Sequence, residues 1–372
     1  MLKRNEEAGV RAVSPTLEIT DITGEARALP DFADHERVVA GRDSARGLTA
    51  IVAIHSTVLG PALGGTRVWP YAGFDEALTD VLRLSHGMTN KAAISGLPLG
   101  GGKAVIIADA RAGKPRAMLE AYGEMLATLR DVYVTAEDVG MSLADADFLH
   151  TLTPNVTGTT AGGSGNPSPV TAEGTFLGLR AAVRHRLGRE DLAGIRVAVQ
   201  GLGAVGWALC ERLHAAGAAL TVTDIDSTRV EAAATEFGAR KAGPDAILAA
   251  EADVLAPCAL GGVLSERTIP ALEAKVVAGS ANNQLARPED ARRLADRGIL
   301  YAPDYVINAG GLINVAAELS PGGYDRDAAM AKVATIPDTL DEIFRRAAET
   351  GATTAEIADA IAAERIAAAR SA

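Results

Sequence analysis

The sequence predicts an α/β protein of two domains, a mixed-sheet first domain and a doubly wound parallel sheet in the second. Three observations carry this. A chain of 372 residues is longer than one hydrophobic core ordinarily serves. The stretch GTTAGGSGNPSP, Gly158 to Pro169, has the composition of an inter-domain crossing. Beyond it, apolar β-branched runs alternate with helical patterns, as strands and crossover helices do. The expected boundaries are 1–157 for the first domain and 158–349 for the second, with a C-terminal helix over 350–372 packing back on the first. A cleft between the two is the expected place for function.

In the first domain, Val38 to Ala40 and Leu48 to Thr57 are apolar runs separated by Gly41 to Gly47, which predicts an antiparallel hairpin. Phe74 to Asn90 carries Ala77, Val81, Leu84 and Met88 at helical spacing, and a Gly-rich turn then leads to a strand over Ala104 to Ile107. A second helix starts near Pro115 with the stripe Met118, Tyr122, Met125 and Leu129. The strand Val132 to Thr135 delivers Ala136, Glu137 and Asp138 to its carboxyl end, where open α/β sheets bind ligands. A connecting helix over Thr171 to Leu187 opens the second domain. Strands follow at Ile195 to Gln200, Leu220 to Thr223, Val254 to Ala256, Val276 to Ala278 and Ile299 to Tyr301. Thr354 to Ala372 is Ala-rich and helical.

Composition narrows the function. Lys and Arg total 36 against 47 Asp and Glu, a net charge of −11, with no basic run to follow a phosphate backbone, so no nucleic-acid partner is expected. Met1 to Val13 mixes charges without an apolar stretch, so neither signal peptide nor membrane span is expected there, and a cytoplasmic protein is. The two cysteines, Cys210 and Cys258, lack CxxC spacing, and the six histidines form no HExxH, so no metal is expected. Ser164 in GGSGN lacks the last glycine of a nucleophile elbow.

Two constellations carry chemistry. In GLGAVG, Gly201, Gly203 and Gly206 let backbone N–H groups and a helix N-terminus approach a pyrophosphate. Asp224 closes the next strand, about 20 residues on, where a carboxylate accepts from ribose hydroxyls and repels a 2′-phosphate, which selects NAD over NADP. The second is Lys91 and Lys103, flanking AAISGLPLGGG. Two ammonium groups converging on a cleft repel, so one can lose its proton and act as a base while the other holds a carboxylate. GGGK is no P-loop, since Leu97 and Ala104 occupy positions that motif reserves for Gly and for Ser or Thr. Asp138 is the third candidate, with a helix cap or a solvated turn as the alternative reading. Asn282, Asn283 and Asn308 follow late strands, where amides can reach a ligand or simply form turns.

GPALGGTR (Gly60 to Arg67), MTNKAAISGLPLGGGK, TAEDVG, GLGAVG, APCALGG, ANNQL and YAPDYVINAGG occur in one order along the chain. Together they resemble the leucine, valine and phenylalanine dehydrogenases of the glutamate dehydrogenase superfamily, from about Val38 to the C-terminus. The resemblance implies that Lys91, with Gly64 and Gly65, binds the substrate carboxylate, that Lys103 activates the hydrolytic water, and that Asp138 exchanges protons with the amine. It implies that Met88, Asn283 and Asn308 line the substrate, and that Leu63, Ala136, Leu312 and Val315 form the side-chain pocket. Around NAD it places Gly201, Leu202, Gly203, Ala204, Val205, Gly206, Asp224, Ile225, Thr171, Cys258, Ala259 and Asn283. It also implies a homo-oligomer.

The activity so implied is reversible, NAD-dependent oxidative deamination of an L-amino acid to its 2-oxo acid and ammonia. All four pocket residues are apolar, and the resemblance puts Leu63 where glutamate-type members carry a lysine. A substrate's second carboxylate would lie buried there without a partner. Ala136, standing where phenylalanine-type members often have Gly, argues mildly for leucine, isoleucine or valine over an aromatic substrate; one methylene is worth only about 1–3 kcal/mol, so overlap among these substrates is expected. An aromatic or non-proteinogenic amino acid is the alternative substrate. A silent NAD-binding sensor is a more remote one, with no need for two lysines and an aspartate together.

Overall fold

The computed structural model describes residues 13–371 of the chain. The expectation for the first dozen residues lies outside this range. The chain divides into two compact units. One comprises residues up to Asn166, Val315–Arg326 and those from Ala362 on; the other comprises Pro167–Asn314 and Asp327–Ile361. The division at Asn166 falls inside the Gly-rich stretch, and Val315–Arg326 joins the first unit, a return the sequence does not announce.

The first unit runs β1 (Glu18–Asp21), α1 (Thr23–Ala26), β2 (Arg37–Asp43), β3 (Leu48–Ser56), β4 (Ala62–Leu63), β5 (Thr66–Trp69), α2 (Phe74–Ile94), β6 (Gly100–Ile107), α3 (Arg116–Ala127), β7 (Tyr133–Val134) and α4 (Leu143–His150). Its mixed sheet has the order β1-β2-β3-β6-β4-β7, and β5 also pairs with β6. β1, β2, β3 and β6 pair antiparallel in sequence; β4 and β5 lie parallel to β6, and β7 parallel to β4. β3 is buried on both faces. Ala50, Val52 and Ile54 pack with Met118, Tyr122 and Met125 of α3, while Ile51 and Ala53 pack with Ala77, Leu78 and Val81 of α2. Burial on both sides explains why β3 reads as a continuous apolar run and not as an alternation.

Several boundaries move, two of them at glycines. Gly41 is not in the hairpin turn: β2 continues to Asp43, and the position where a Cβ at Gly41 would stand is 2.4 Å from the Met125 Sδ of α3. The predicted Gly-rich turn before Lys103 is strand. A Cβ at Gly100 would meet Ser56 O at 1.9 Å, and one at Gly101 would meet Thr89 N at 2.1 Å. The helix α2 runs on through Lys91 to Ile94, and Leu129 of the second predicted stripe lies past the end of α3, though buried. β4 and β5 are two pieces of one broken strand alongside β6, interrupted at Gly64 and Gly65.

The second unit runs α5 (Ser168–Leu187), β8 (Arg196–Gln200), α6 (Ala204–Ala215), β9 (Ala219–Thr223), α7 (Ser227–Phe237), β10 (Arg240–Lys241), β11 (Val254–Pro257), β12 (Val276–Val277), α8 (Asp290–Asp296), β13 (Leu300–Tyr301) and α9 (Asp304–Ile307). After these come α10 (Gly310–Ala316), α11 (Arg326–Val333), α12 (Ile336–Thr350) and α13 (Thr354–Arg370). All six strands are parallel, in the order β10-β9-β8-β11-β12-β13. Counted from β8 this is 3-2-1-4-5-6, the doubly wound dinucleotide-binding topology, and its switch point lies between β8 and β11. No helix among the described residues is long and apolar enough to cross a membrane.

Candidate active site

In the first unit the break between β4 and β5 gathers the chemistry. The Gly64 carbonyl accepts Tyr133 Oη at 2.5 Å, and its N–H bonds Val134 O at 3.2 Å, so the kink is fixed from the β7 side. Neither glycine admits a side chain: a Cβ at Gly64 would lie 1.8 Å from Gly102 O and 3.3 Å from Met88 Cγ, and one at Gly65 would lie 2.4 Å from Glu137 O and 3.0 Å from Asp138 Cβ. Met88, Gly64, Gly65 and Asp138 are thereby brought together. Leu63 and Ala136 are both buried beside them.

Lys103, on β6, is almost fully buried and meets Asp138, with Nζ to Oδ2 at 2.5 Å. Arg67 Nε stands 3.5 Å from the same oxygen. Burial alone would raise the Asp138 carboxyl, but the charges of Lys103 and then Arg67 outweigh it and hold it below its ordinary value. Burial, and after it the Asp138 charge, raises Glu137. The charge in contact with Lys103 is thus a carboxylate, where the sequence suggested a second ammonium. Lys91 lies in the last turn of α2, half-buried.

In the second unit the glycine turn leaves β8 and enters α6. Gly201 has φ +99°, and a Cβ there would strike Ala259 at 2.8 Å; one at Gly206 would meet Gly201 O at 2.0 Å and Cys258 Cβ at 3.3 Å. Gly203 caps α6 with no side-chain acceptor, and a Cβ on it would meet nothing within 4 Å. Open space over uncapped N–H groups suits the pyrophosphate of a dinucleotide. Asp224 closes β9, its Oδ2 accepting Leu202 N at 2.5 Å and its Oδ1 Asp226 N at 2.9 Å. Ile225 beside it is 98% exposed, an apolar surface next to the turn. Asn308 is buried and donates to Asn282 Oδ1 at 2.7 Å and Ser280 O at 3.1 Å. Asn283 is exposed with φ +51°, and its carbonyl accepts Gly262 N at 2.7 Å. Thr171 Oγ1 is 2.6 Å from where a Cβ at Gly311 would stand, and Leu312 and Val315 of α10 are both buried, Val315 being counted with the first unit.

A model described as "Glu/Leu/Phe/Val dehydrogenase, dimerisation domain" matches residues 35–154, and one described as "Glutamate/Leucine/Phenylalanine/Valine dehydrogenase" matches residues 221–372. The chain is 50% identical over 335 residues to the leucine dehydrogenase of Geobacillus stearothermophilus, covering 90% of this chain and 91% of that one. It belongs to the glutamate, leucine, phenylalanine and valine dehydrogenase family.

Membership makes it an amino-acid dehydrogenase, an oxidoreductase. The valine dehydrogenase of Streptomyces albus is 47% identical over 363 residues, covering 95% of this chain and 99% of that one. Among solved structures of the family, the L-tryptophan dehydrogenase of Nostoc punctiforme superposes with a TM-score of 0.80 at 44% identity, covering 91% and 98% of the two chains. The hetero-hexameric glutamate dehydrogenase of Thermus thermophilus superposes with a TM-score of 0.72 at 25% identity, covering 97% and 92%. One member of the first unit's charge cluster escaped the sequence reading. Arg67 lies in the quoted GGTR run, two residues after Gly65, and a strand's alternation turns both to one face.

Proposed function

We propose that this dehydrogenase deaminates branched-chain aliphatic L-amino acids, leucine, valine and isoleucine, to their 2-oxo acids and ammonia, reversibly and with NAD. We place it in the cytoplasm as a homo-oligomer. The observation that carries the chemistry is the Lys103–Asp138 contact beside Gly65, a buried lysine on a partly buried carboxylate next to a chain segment with no room for a Cβ. The substrate reading draws support from the leucine and valine dehydrogenases matched along nine-tenths of the chain, and from the apolar, buried Leu63, Ala136, Leu312 and Val315.

In this reading Lys91 and the backbone at Gly64 and Gly65 hold the α-carboxylate. Asp138 takes a proton from the ammonium group, freeing the nitrogen lone pair. The coenzyme, held by the Gly201 to Gly206 turn and Asp224, supplies the hydride acceptor. Lys103, in its neutral form, takes a proton from the water that attacks the resulting imine carbon, and Asp138 returns its proton as nitrogen leaves. The sum is amino acid, NAD⁺ and water giving 2-oxo acid, ammonium, NADH and one proton.

Lys103→Ala should abolish turnover while NADH still binds; normal turnover would reject the assignment. NADH formation from a panel of L-amino acids at alkaline pH tests the substrate. A second reading, an aromatic amino acid, is favoured by the tryptophan dehydrogenase likeness, and kcat/KM higher for phenylalanine or tryptophan than for every aliphatic substrate would establish it.

A further inference from the structure

Asp138 is gripped from two sides. Arg67, on β5, has Nε 3.5 Å from Asp138 Oδ2, the oxygen that Lys103 meets. Its other end, Nη1, donates to Asp80 Oδ2 on α2 at 3.0 Å, and that oxygen also accepts Tyr71 Oη at 2.5 Å. Lys103, Asp138, Arg67 and Asp80 form a row of alternating charge closed by a phenol. Arg67, Asp80 and Asp138 are 25%, 28% and 21% exposed, so solvent screens these contacts less than surface pairs. The cations in contact with Asp138 are Lys103 from β6 and Arg67 from β5. The other titratable groups around it are Glu137 beside it, Tyr133 on β7, and Asp80 with Tyr71 behind Arg67.

These two cations differ in what they can do during a reaction cycle. An arginine keeps its proton throughout, whereas Lys103 must release its own to act as a base. Each time it does so, half of the positive charge touching Asp138 disappears.

We infer that Arg67 is a positioning residue that holds the Asp138 carboxylate in place and keeps it ionised, even without the Lys103 charge, until it takes the proton of the substrate amine, with Asp80 and Tyr71 setting how strongly it pulls. This rests on the reading of Asp138 as the group that exchanges protons with the substrate nitrogen. Arg67 itself touches no reacting atom; it acts through Asp138. Asp80 opposes it, since a carboxylate on the far side of the guanidinium draws its charge away from Asp138.

The test is the pH profile of kcat/KM for Arg67→Met, Arg67→Lys, Asp80→Asn and Asp138→Asn, with thermal unfolding and NADH binding measured beside it. Arg67→Met should move the acidic limb up by about one pH unit or more, as loss of an opposite charge within ~4–6 Å of an aspartate does. Asp80→Asn should move the same limb down. Arg67→Lys should fall between wild type and Arg67→Met, because a single ammonium cannot span both carboxylates. A purely structural role predicts lower Tm and lower kcat in both variants with the limb unmoved, and that result overturns the inference; so do shifts of the same sign in Arg67→Met and Asp80→Asn. Full turnover in Asp138→Asn would remove the underlying reading and the inference with it. An inactive Asp138→Asn beside an unmoved limb in Arg67→Met would remove the Arg67 role alone.

Discussion

Gly101→Ala is the substitution whose cost can be worked most directly from the structure. A Cβ there would stand 2.1 Å from Thr89 N, 2.3 Å from Thr89 Oγ1 and 2.5 Å from Thr89 Cα, so it meets the backbone of α2 and not the flexible end of a side chain. Ordinary non-bonded contact lies near 3.5 Å, so helix and strand must part by at least about 1 Å. Overpacking of this kind costs about 1–3 kcal/mol of stability. The displaced residues are Met88 and Lys91 on one side and Lys103 on the other, which the proposed function puts around the substrate, and a misplacement of about 1 Å there would cost on the order of 100-fold in rate. Gly87→Ala, on the same helix but with nothing within 4 Å of the new Cβ, is the matched control. It should stabilise by up to about 1 kcal/mol, the helix-propensity difference, and leave turnover intact. Denaturant unfolding and steady-state kinetics of both variants decide the matter. Wild-type kcat/KM in Gly101→Ala would refute the idea that close packing of α2 on the glycine strand sets the site.

Three further outcomes follow from the geometry. Gly203→Ala should unfold at the wild-type temperature, since its Cβ meets nothing, yet bind NADH several-fold more weakly by filling the space over the turn; Gly206→Ala, 2.0 Å from Gly201 O, should lose both binding and stability. His55 is half-buried against His35 and His86, and burial, then the charges of those two rings, pushes it down to about 3 from 6.5. An unfolded chain protonates this ring below about pH 6.5 while the folded one does not, so stability falls as pH drops from 6.5 towards 3, and His55→Phe should flatten that slope in urea titrations. Arg46 grips Glu124 with two hydrogen bonds, at 2.7 and 3.0 Å, and this is the main cause holding that carboxyl below 4.5. Its contribution is present above pH 4.5 and lost on further acidification, so Glu124→Gln should reduce the pH dependence of stability in that range.

How far the sequence reads depends on how many jobs a glycine can have. The second sheet was legible almost strand by strand, because parallel strands buried on both faces are short apolar runs with helices between them. Only β10, a two-residue edge of Arg240 and Lys241, lacks any such run. In the first unit the glycines misled. Gly41, Gly100, Gly101 and Gly102 read as turn residues but lie in strands, where they admit a helix or a neighbouring strand at close range. Likewise β4 and β5 are short pieces broken at Gly64 and Gly65, invisible to a search for period-two alternation. Lys103 and Asp138 could be singled out one at a time, but that they touch depends on the register of β6 against the broken strand, which no local pattern encodes.

Asp224 ties coenzyme preference to the integrity of the loop it closes. Its two oxygens are already engaged, one by the amide of Leu202 within the fingerprint and one by that of Asp226. Exchanging it for serine, to make room for a phosphorylated ribose, would leave at least one of those amides without its acceptor, and asparagine has only a single carbonyl oxygen to offer. If NAD is the coenzyme, as proposed above, redirecting the protein to the phosphorylated form is a matter of rebuilding a segment of main chain, and single replacements at this position should lose affinity for both coenzymes.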